Sequence, residues 1–179
     1  MRKVFITAGH GGKDTGAVAL GYTEAALTIE FRNLVISECS KLGVKVQTDK
    51  DTNALAETLK WLKGLISPNS IAIDIHWNAS SNKWAHGSEI IVPEKCSAFE
   101  MAIAKALLNV FVKAGFRDRG VKSELLTARK RLGWMRPACE NIIIEVCFIT
   151  NRADMALYNQ TKKLLAANVA WVVKQYINK

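Results

Sequence analysis

The chain has 179 residues, 49% hydrophobic and 23% charged, a composition that excludes disordered and fibrous proteins and suffices for one domain with a substantial core. Its net charge of +9 suits a polyanionic partner such as nucleic acid, membrane phosphate or an anionic cell wall, but equally suits a merely solvated surface. No apolar run approaches the ~20 residues of a membrane span. The N-terminus also lacks the long apolar stretch of an ordinary signal peptide.

In the first third of the chain, apolar patterning predicts two strands, each followed by a helix. Lys3–Ala8 is a short buried strand that leads into a glycine-rich loop, after which Thr23 caps a helix. Val44–Thr48 is the second strand, and Asn53 caps the second helix. The apolar face predicted for that helix consists of Leu55, Leu59, Leu62 and Ile66.

Further along, strands are predicted at Ile71–Trp77, His86–Val92 and Asn141–Phe148, and Ser97 with Glu100 forms a capping box at a third helix. The polar stretch between that helix and the last strand predicts loops around a short strand near Glu124–Thr127. A long C-terminal helix follows, with a predicted core face of Leu157, Leu164, Leu165, Val169, Val172 and Tyr176.

Strands that alternate with helices predict an α/β fold: one domain over residues 1–179, with a mainly parallel twisted sheet of about five or six strands flanked by helices. Ligands of such folds gather at the carboxyl ends of the strands. His10 and His76 both fall at such ends, whereas a histidine taken at random is more often a surface or satisfied core residue. Their equivalent positions favour a metal-binding or catalytic role.

Glu145 is the only charged residue in the apolar run Ile142–Cys147. Such runs form strands buried on both faces of a sheet, where an unpaired carboxylate costs several kcal/mol or acquires a raised pKa. Glu145 therefore needs either a basic structural partner or a chemical role, as a proton shuttle or a metal ligand.

Glu24 by itself is a first-turn acid that interacts favourably with the helix dipole. Its position after His10, across a glycine-rich loop, raises a second interpretation. Two histidines and one carboxylate with an open fourth position form a catalytic zinc set, and a separate glutamate then serves as general base. The residue types alone leave a zinc hydrolase as one hypothesis among several.

Four motifs occur in order between residues 4 and 151. They are Gly9-His10-Gly11-Gly12 followed by Asp14, Gly16, Ala17 and Glu24; Ile75-His76-Trp77-Asn78-Ala79; Gly87-Ser88-Glu89; and Ile144-Glu145-Val146-Cys147-Phe148-Ile149-Thr150-Asn151. Together they resemble the zinc N-acetylmuramoyl-L-alanine amidases of bacterial autolysins and phage endolysins. The resemblance implies that His10, Glu24 and His76 bind one Zn²⁺ per chain and that Glu145 is catalytic.

In that family, the reaction is hydrolysis of the amide between N-acetylmuramic acid and L-alanine, so the resemblance implies peptidoglycan as substrate. Two positions depart from the family pattern. Cys147 replaces a usual glycine, and Asp74 stands where a small hydroxyl residue is common. Asp74 either orients His76 or points to solvent, and both interpretations remain open.

Other readings of the sequence also remain. The alternatives are a zinc peptidase that cuts the stem peptide and a non-catalytic basic module that binds wall or nucleic acid. No recognition helix with clustered arginines favours nucleic acid, so no nucleic-acid partner is expected. The four cysteines form no CxxC pair and are expected to be free thiols.

The basic surface and the tryptophans carry two further expectations. The surface is a candidate for binding anionic wall polymers, and Trp77, Trp84 and Trp134 are candidates for stacking on sugar rings, although each is more often plain packing. The missing export signal fits a phage endolysin that reaches the wall after release, or a mature secreted or periplasmic enzyme. The sequence does not predict an oligomeric state.

Overall fold

The computed structural model describes residues 1–178, and within them the chain forms eight β-strands and four α-helices. The strands are β1 (Val4–Ala8), β2 (Val18–Ala19), β3 (Tyr22–Thr23), β4 (Val46–Gln47), β5 (Ile71–Asn78), β6 (Ser88–Val92), β7 (Asp118–Ser123) and β8 (Glu140–Phe148). The helices are α1 (Glu24–Lys41), α2 (Leu55–Lys63), α3 (Ala98–Lys113) and α4 (Arg152–Tyr176).

Within residues 1–178, six strands form one sheet in the order β4-β1-β5-β8-β6-β7. Neighbouring strands are parallel except β6 and β8, which are antiparallel. Strands β2 and β3 form a separate antiparallel pair just before α1. The predicted α/β fold with a mainly parallel sheet flanked by helices is therefore confirmed.

The two faces of this sheet are covered unequally. Helices α1, α3 and α4 pack on one face, where alternate residues of the central strands, such as Ile73 and Ile144, join a large core. On the other face a smaller apolar cluster forms around α2 and a 3₁₀ turn at Gly133–Met135. We call this second face the site face. Because side chains alternate between the two faces of a strand, the polar side chains of β1, β5, β6 and β8 that lie two or four residues from this smaller cluster point to the same face as the cluster. These side chains are Thr7, Asp74, His76, Glu89 and Glu145.

Helix starts follow local hydrogen bonding. The Thr23 hydroxyl accepts from the Ala26 N–H at 3.3 Å, and Ser97 and Glu100 form the predicted reciprocal capping box at 2.8 and 2.9 Å. The predicted cap of α2 at Asn53 was wrong, because the cap residue is Ala54. Glu57 supplies the hydrogen-bond acceptor at this end of the helix, and its carboxylate accepts the Ala54 backbone N–H at 3.1 Å.

Two further predictions were wrong. The short strand near Glu124–Thr127 is a 3₁₀ turn at Glu124–Leu126, and the strand lies just before it, at Asp118–Ser123. The turn closes because the Thr127 hydroxyl donates to the Glu124 carbonyl at 2.7 Å. In α4, Leu164 is 57% exposed while Leu165 is fully buried, so Leu165 belongs to the core face of the helix and Leu164 does not.

No helix among residues 1–178 has both the length and the apolar character that a bilayer crossing requires.

Candidate metal centre

His10, Glu24 and His76 come together at the carboxyl edge of the sheet. His10 follows β1, His76 lies near the end of β5, and Glu24 is the first residue of α1. One potential ligand atom from each residue lies within 4.8 Å of those of the other two. The Glu24 carboxylate is central, since its Oε1 is 3.4 Å from Nε2 of His10 and 3.1 Å from Nδ1 of His76.

These separations match the needs of a small divalent ion. Zinc binds nitrogen and oxygen ligands at about 2.0–2.1 Å with tetrahedral geometry, which places neighbouring ligand atoms roughly 3.3 Å apart. Both measured separations to Glu24 lie close to that value. The donor set of two imidazoles and one carboxylate is also one that zinc prefers, so the residues fit the ion.

Glycines allow these side chains to approach one another. A Cβ atom at Gly9 would lie 2.1 Å from Nε2 of His76, inside the imidazole ring's van der Waals surface. At Gly16, where φ is +59°, a Cβ would lie 2.7 Å from the Glu24 carboxylate and 2.8 Å from the His10 ring. The glycine-rich loop is thus required sterically, beyond any role as a strand-to-helix connection.

The His10 loop is anchored from the side by two ion pairs of a buried arginine. Arg32 on α1 is 2% exposed and contacts the carboxylates of both Asp49 and Asp51. The Asp51 carbonyl in turn accepts the Gly12 N–H at 2.9 Å. Because Arg32 lies on the helix that begins with Glu24, this network holds the His10 loop and α1 in one arrangement.

Backbone donors orient Glu24. Its Oε2 accepts the Ala17 N–H at 2.9 Å, and its Oε1 accepts the Trp77 N–H at 3.0 Å, where β5 shifts register against β8. Burial opposes ionisation of Glu24, but contacts with His10 and His76 and the Ala17 N–H outweigh it and lower the pKa of the carboxyl group. Glu24 is therefore an anion at neutral pH.

Asp74 contacts His76 and does not point to solvent. It is 2% exposed, and its Oδ2 lies 3.1 Å from Nε2 of His76, on the opposite side of the ring from Glu24. The Thr7 hydroxyl donates to the other oxygen, Oδ1, at 2.7 Å. Of the two interpretations that the sequence left open, the structure supports orientation of the imidazole.

The carboxylates favour positive charge at this point. Burial lowers the pKa of both imidazoles, yet Glu24 raises that of His10, and Asp74 with Glu24 raises that of His76 well above its ordinary value. Positive charge can be supplied by protons on the rings or by a divalent ion held between neutral rings. A metal ion is the option that uses the convergent geometry.

Glu145 faces this group from the neighbouring strand, in direct register with His76. Its Oε2 atom is buried and has no hydrogen-bond partner among residues 1–178, so the basic structural partner considered from the sequence is missing there. Burial raises the pKa of Glu145 to about 7. A carboxyl group with that pKa is suited to accept and return a proton near neutrality.

The structure separates the three candidate tryptophans. Trp77 and Trp134 are 3% and 1% exposed and pack in the core, so both follow the plain packing that the sequence favoured and neither is available to stack on a sugar. Trp84 is 85% exposed on the loop between β5 and β6, at the same edge of the sheet as His76.

Among the cysteines, Cys147 is buried on the face of the sheet opposite Glu145, so it takes no part in the candidate metal centre.

In the sequence, Glu89 appeared only as part of the motif Gly87-Ser88-Glu89, and its partners on β7 were missed. Glu89 pairs directly with Glu145 across β6 and β8, and it contacts Asn78, Arg119 and Lys122. The signal available in the sequence was the acid at the start of an apolar strand. The partners were not visible, because β7 was not predicted at Asp118–Ser123.

Fold and residue group together define an α/β protein with a candidate three-ligand metal centre beside a buried carboxyl group. Residues 4–175 match the model of the N-acetylmuramoyl-L-alanine amidase family, and the chain belongs to that family. The suspected resemblance is therefore confirmed.

Individual relatives agree with this assignment. N-acetylmuramoyl-L-alanine amidase LytC of Bacillus subtilis (strain 168) is 25% identical over 165 residues, which cover 88% of this chain and 31% of LytC. An endolysin of Bacillus phage SPP1 is 27% identical over 162 residues, or 86% of this chain and 57% of the endolysin. The chain thus spans less than two thirds of either relative.

Among solved structures, an N-acetylmuramoyl-L-alanine amidase from Clostridium difficile 630 superposes with a TM-score of 0.81 at 24% identity. The superposition covers 99% of this chain and 97% of that one, which supports the same fold over nearly the whole length.

Proposed function

We propose that the chain is a zinc-dependent N-acetylmuramoyl-L-alanine amidase that hydrolyses the amide between N-acetylmuramic acid and L-alanine in peptidoglycan. Family membership supports this reaction. The observation that carries the proposal is the convergence of His10, Glu24 and His76 within 4.8 Å, with Glu145 in register beside His76. We also propose that residues 1–179 form one catalytic domain, which the backbone hydrogen bond from Arg2 to Ile177 at 2.9 Å supports.

His10, Glu24 and His76 would hold one zinc ion per chain. When bound, zinc lowers the pKa of a coordinated water toward ~7 and polarises the scissile carbonyl. The protein's own contribution is orientation: Asp74 fixes the ring of His76, and two backbone N–H groups fix the carboxylate of Glu24.

Glu145 is the proposed catalytic residue. Its unpartnered Oε2 accepts one proton from the attacking water and then delivers a proton to the departing nitrogen of L-alanine. The C–N bond breaks, the lactyl carbonyl carbon gains the water oxygen as a carboxylic acid, and L-alanine leaves as a free amine. No covalent intermediate is needed, so Cys147 is not a nucleophile in this proposal.

Two rival functions predict different chemistry. A zinc peptidase that acts on the stem peptide would leave L-alanine attached to the sugar, whereas an amidase exposes a new L-alanine amino terminus. A basic binding module would hold wall or nucleic acid without turnover. The relatives' names, two amidases and an endolysin, favour the amidase and a site of action at the cell wall.

We propose that the chain acts on the cell wall, either as a phage endolysin or as a secreted or periplasmic bacterial enzyme. Peptidoglycan is the proposed partner in both settings. The net charge of +9 supports additional attraction to anionic wall polymers.

The test combines zinc quantification with digestion of purified peptidoglycan by the wild type and Glu145→Gln. We expect about one zinc per chain in both proteins and a loss of at least ~100-fold in turnover for the variant, since general acid–base catalysis contributes about 10²–10⁴-fold. The matched control is Glu140→Gln, the same substitution at the first residue of β8. Mass spectrometry identifies the new terminus, and release of anything other than L-alanine termini contradicts the proposed bond.

A further inference from the structure

Glu89 forms the centre of a charged group on the site face, which we call the Glu89 cluster: Glu89, Asn78, Arg119 and Lys122. One Glu89 oxygen, Oε1, accepts from Nδ2 of Asn78 at 2.9 Å. The other, Oε2, accepts from Nε of Arg119 at 2.7 Å and from Nζ of Lys122 at 2.6 Å. Because Glu89 is paired with Glu145 across β6 and β8, the cluster lies directly beside the proposed general base.

A β-bulge brings both cations to Glu89. Residues three apart on a regular strand point to opposite faces. Between the pairs Ser88–Asp118 and Ile90–Val121, however, β7 has one more residue than β6, and Gly120 adopts φ of +88° there. The extra residue re-aims the strand, so Arg119 and Lys122 both reach the site face.

The cluster carries more positive charge than Glu89 requires. One cation neutralises one carboxylate, yet two are present, and Asn78 donates as well. Burial opposes ionisation of Glu89, but the donors from Lys122, Arg119 and Asn78 lower the pKa of its carboxyl group, which leaves a surplus of one positive charge. The side chains of Arg119 and Lys122 are 26% and 28% exposed, so this surplus is open to a ligand.

Arg119 is held in place with donors to spare. Its Nε is bound by Glu89, and its guanidinium carbon lies 4.7 Å above the centre of the Phe148 ring. Neither terminal nitrogen of the guanidinium group has a hydrogen-bond partner within the described residues 1–178. A fixed, planar group with two free N–H edges is the geometry that binds a carboxylate with two hydrogen bonds.

The spacing between β8 and β7 suggests which group of the substrate could reach Arg119 and Lys122. Neighbouring strands lie about 4.8 Å apart, so β7 is roughly 10 Å from β8, and the side chains of Arg119 and Lys122 extend back toward Glu145 through their bonds to Glu89. In an extended stem peptide, a carboxyl group on the second residue lies roughly 7 Å from the scissile amide carbon. A stem that runs from Glu145 across β6 places this carboxyl group between β6 and β7, and Arg119 and Lys122 then need to reach back by roughly 3 Å to meet it.

We infer that Arg119 and Lys122 bind the carboxylate on the second residue of the stem peptide and so determine which stems are cleaved. This inference rests on the proposed amidase function. Arg119 contributes the paired N–H donors, Lys122 contributes charge, and Glu89 with Asn78 holds both cations in position.

The test compares two synthetic substrates, N-acetylmuramoyl-L-Ala-γ-D-Glu-L-Lys and the same molecule with the glutamate α-carboxylate converted to an amide. We expect the wild type to favour the carboxylate by about tenfold or more in kcat/KM, the value of one charge-assisted hydrogen bond. Arg119→Gln and Lys122→Gln should each reduce this preference while still hydrolysing the amide form. Lys105→Gln, which removes a charge from the exposed face of α3, should retain it.

Equal hydrolysis of both substrates by the wild type overturns the inference and leaves the amidase proposal intact. An equal loss on both substrates in folded Arg119→Gln and Lys122→Gln also overturns it, since the cations would then only brace Glu89. Should the wild type cleave neither substrate, the amidase proposal fails. Calorimetric titration of L-Ala-γ-D-Glu-L-Lys and its α-amide into Glu145→Gln then decides the inference separately: tighter binding of the carboxylate supports it, and equal affinities contradict it.

Discussion

Gly9→Ala should severely weaken metal binding although it adds a single methyl group to a residue that is not itself a ligand. The added Cβ would lie 2.1, 2.2 and 2.5 Å from three atoms of the His76 ring. Non-bonded carbon atoms settle at about 3.5–4.0 Å, so ring and loop must separate by more than about 1 Å. The backbone cannot supply that movement easily, because the Gly9 N–H donates to the Ile75 carbonyl at 2.9 Å.

The His76 ring must therefore move, and it is held on both sides by Asp74 and Glu24. Functional sites tolerate displacements of about 0.5 Å, and loss of a metal ligand's orientation costs about 10–100-fold in affinity. We expect a loss of zinc affinity of about 100-fold or more in Gly9→Ala. Overpacking of this kind also costs about 1–3 kcal/mol in the free energy of unfolding.

Chelator competition measures zinc affinity, and urea unfolding measures stability. Gly64→Ala is the matched control, since Gly64 ends α2 with φ of −80° and its nearest atom to an added Cβ is 3.8 Å away. That variant should bind zinc like the wild type and be equally stable or slightly more so. Unchanged zinc affinity in folded Gly9→Ala would refute the steric account of the glycine-rich loop.

Two further substitutions test neighbours of the metal centre. Asp74→Asn should weaken zinc binding by about 10–100-fold in chelator competition, because the amide cannot orient His76 as the carboxylate does, and unchanged affinity would remove Asp74 from that role. Trp84→Ala should lower kcat/KM on glycan-containing wall fragments about 3–10-fold, as expected for one aromatic contact, and Trp171→Ala, an exposed tryptophan on α4, should not. Equal effects of the two tryptophan substitutions would contradict stacking of a sugar on Trp84.

Much of the site was predictable because strand ends are visible in a sequence. His10 and His76 follow apolar runs, and parallel strands end at one edge of a sheet, so their proximity followed from the fold class. Glu145 stood out as the one charge in the predicted strand Asn141–Phe148. Glu24 was less distinct: its position in the first turn suggested a helix-dipole contact, its position after His10 raised a ligand role as a second interpretation, and the family resemblance favoured the ligand role.

Register and packing could not be predicted in the same way. The position of β7 was wrong, so the bulge at Gly120 that turns Arg119 and Lys122 toward Glu89 was missed. Likewise, Leu164 and Leu165 both fit an apolar helix face, and only the packing of α4 against the large core selected Leu165. A bulge or a small helix rotation changes which face a side chain occupies, and neighbouring elements in space decide both.

The sequence by itself determined the α/β fold, the edge of the sheet where chemistry occurs, and the residue types at that edge, because hydrophobic period and turn residues are local properties. Only the tertiary structure decided that Asp74 faces the His76 ring, that Trp77 is buried while Trp84 is exposed, and that two cations converge on Glu89. Those outcomes depend on how the strands are aligned and on which helices cover each face of the sheet. Contacts between residues far apart in the chain determine both the alignment and the coverage.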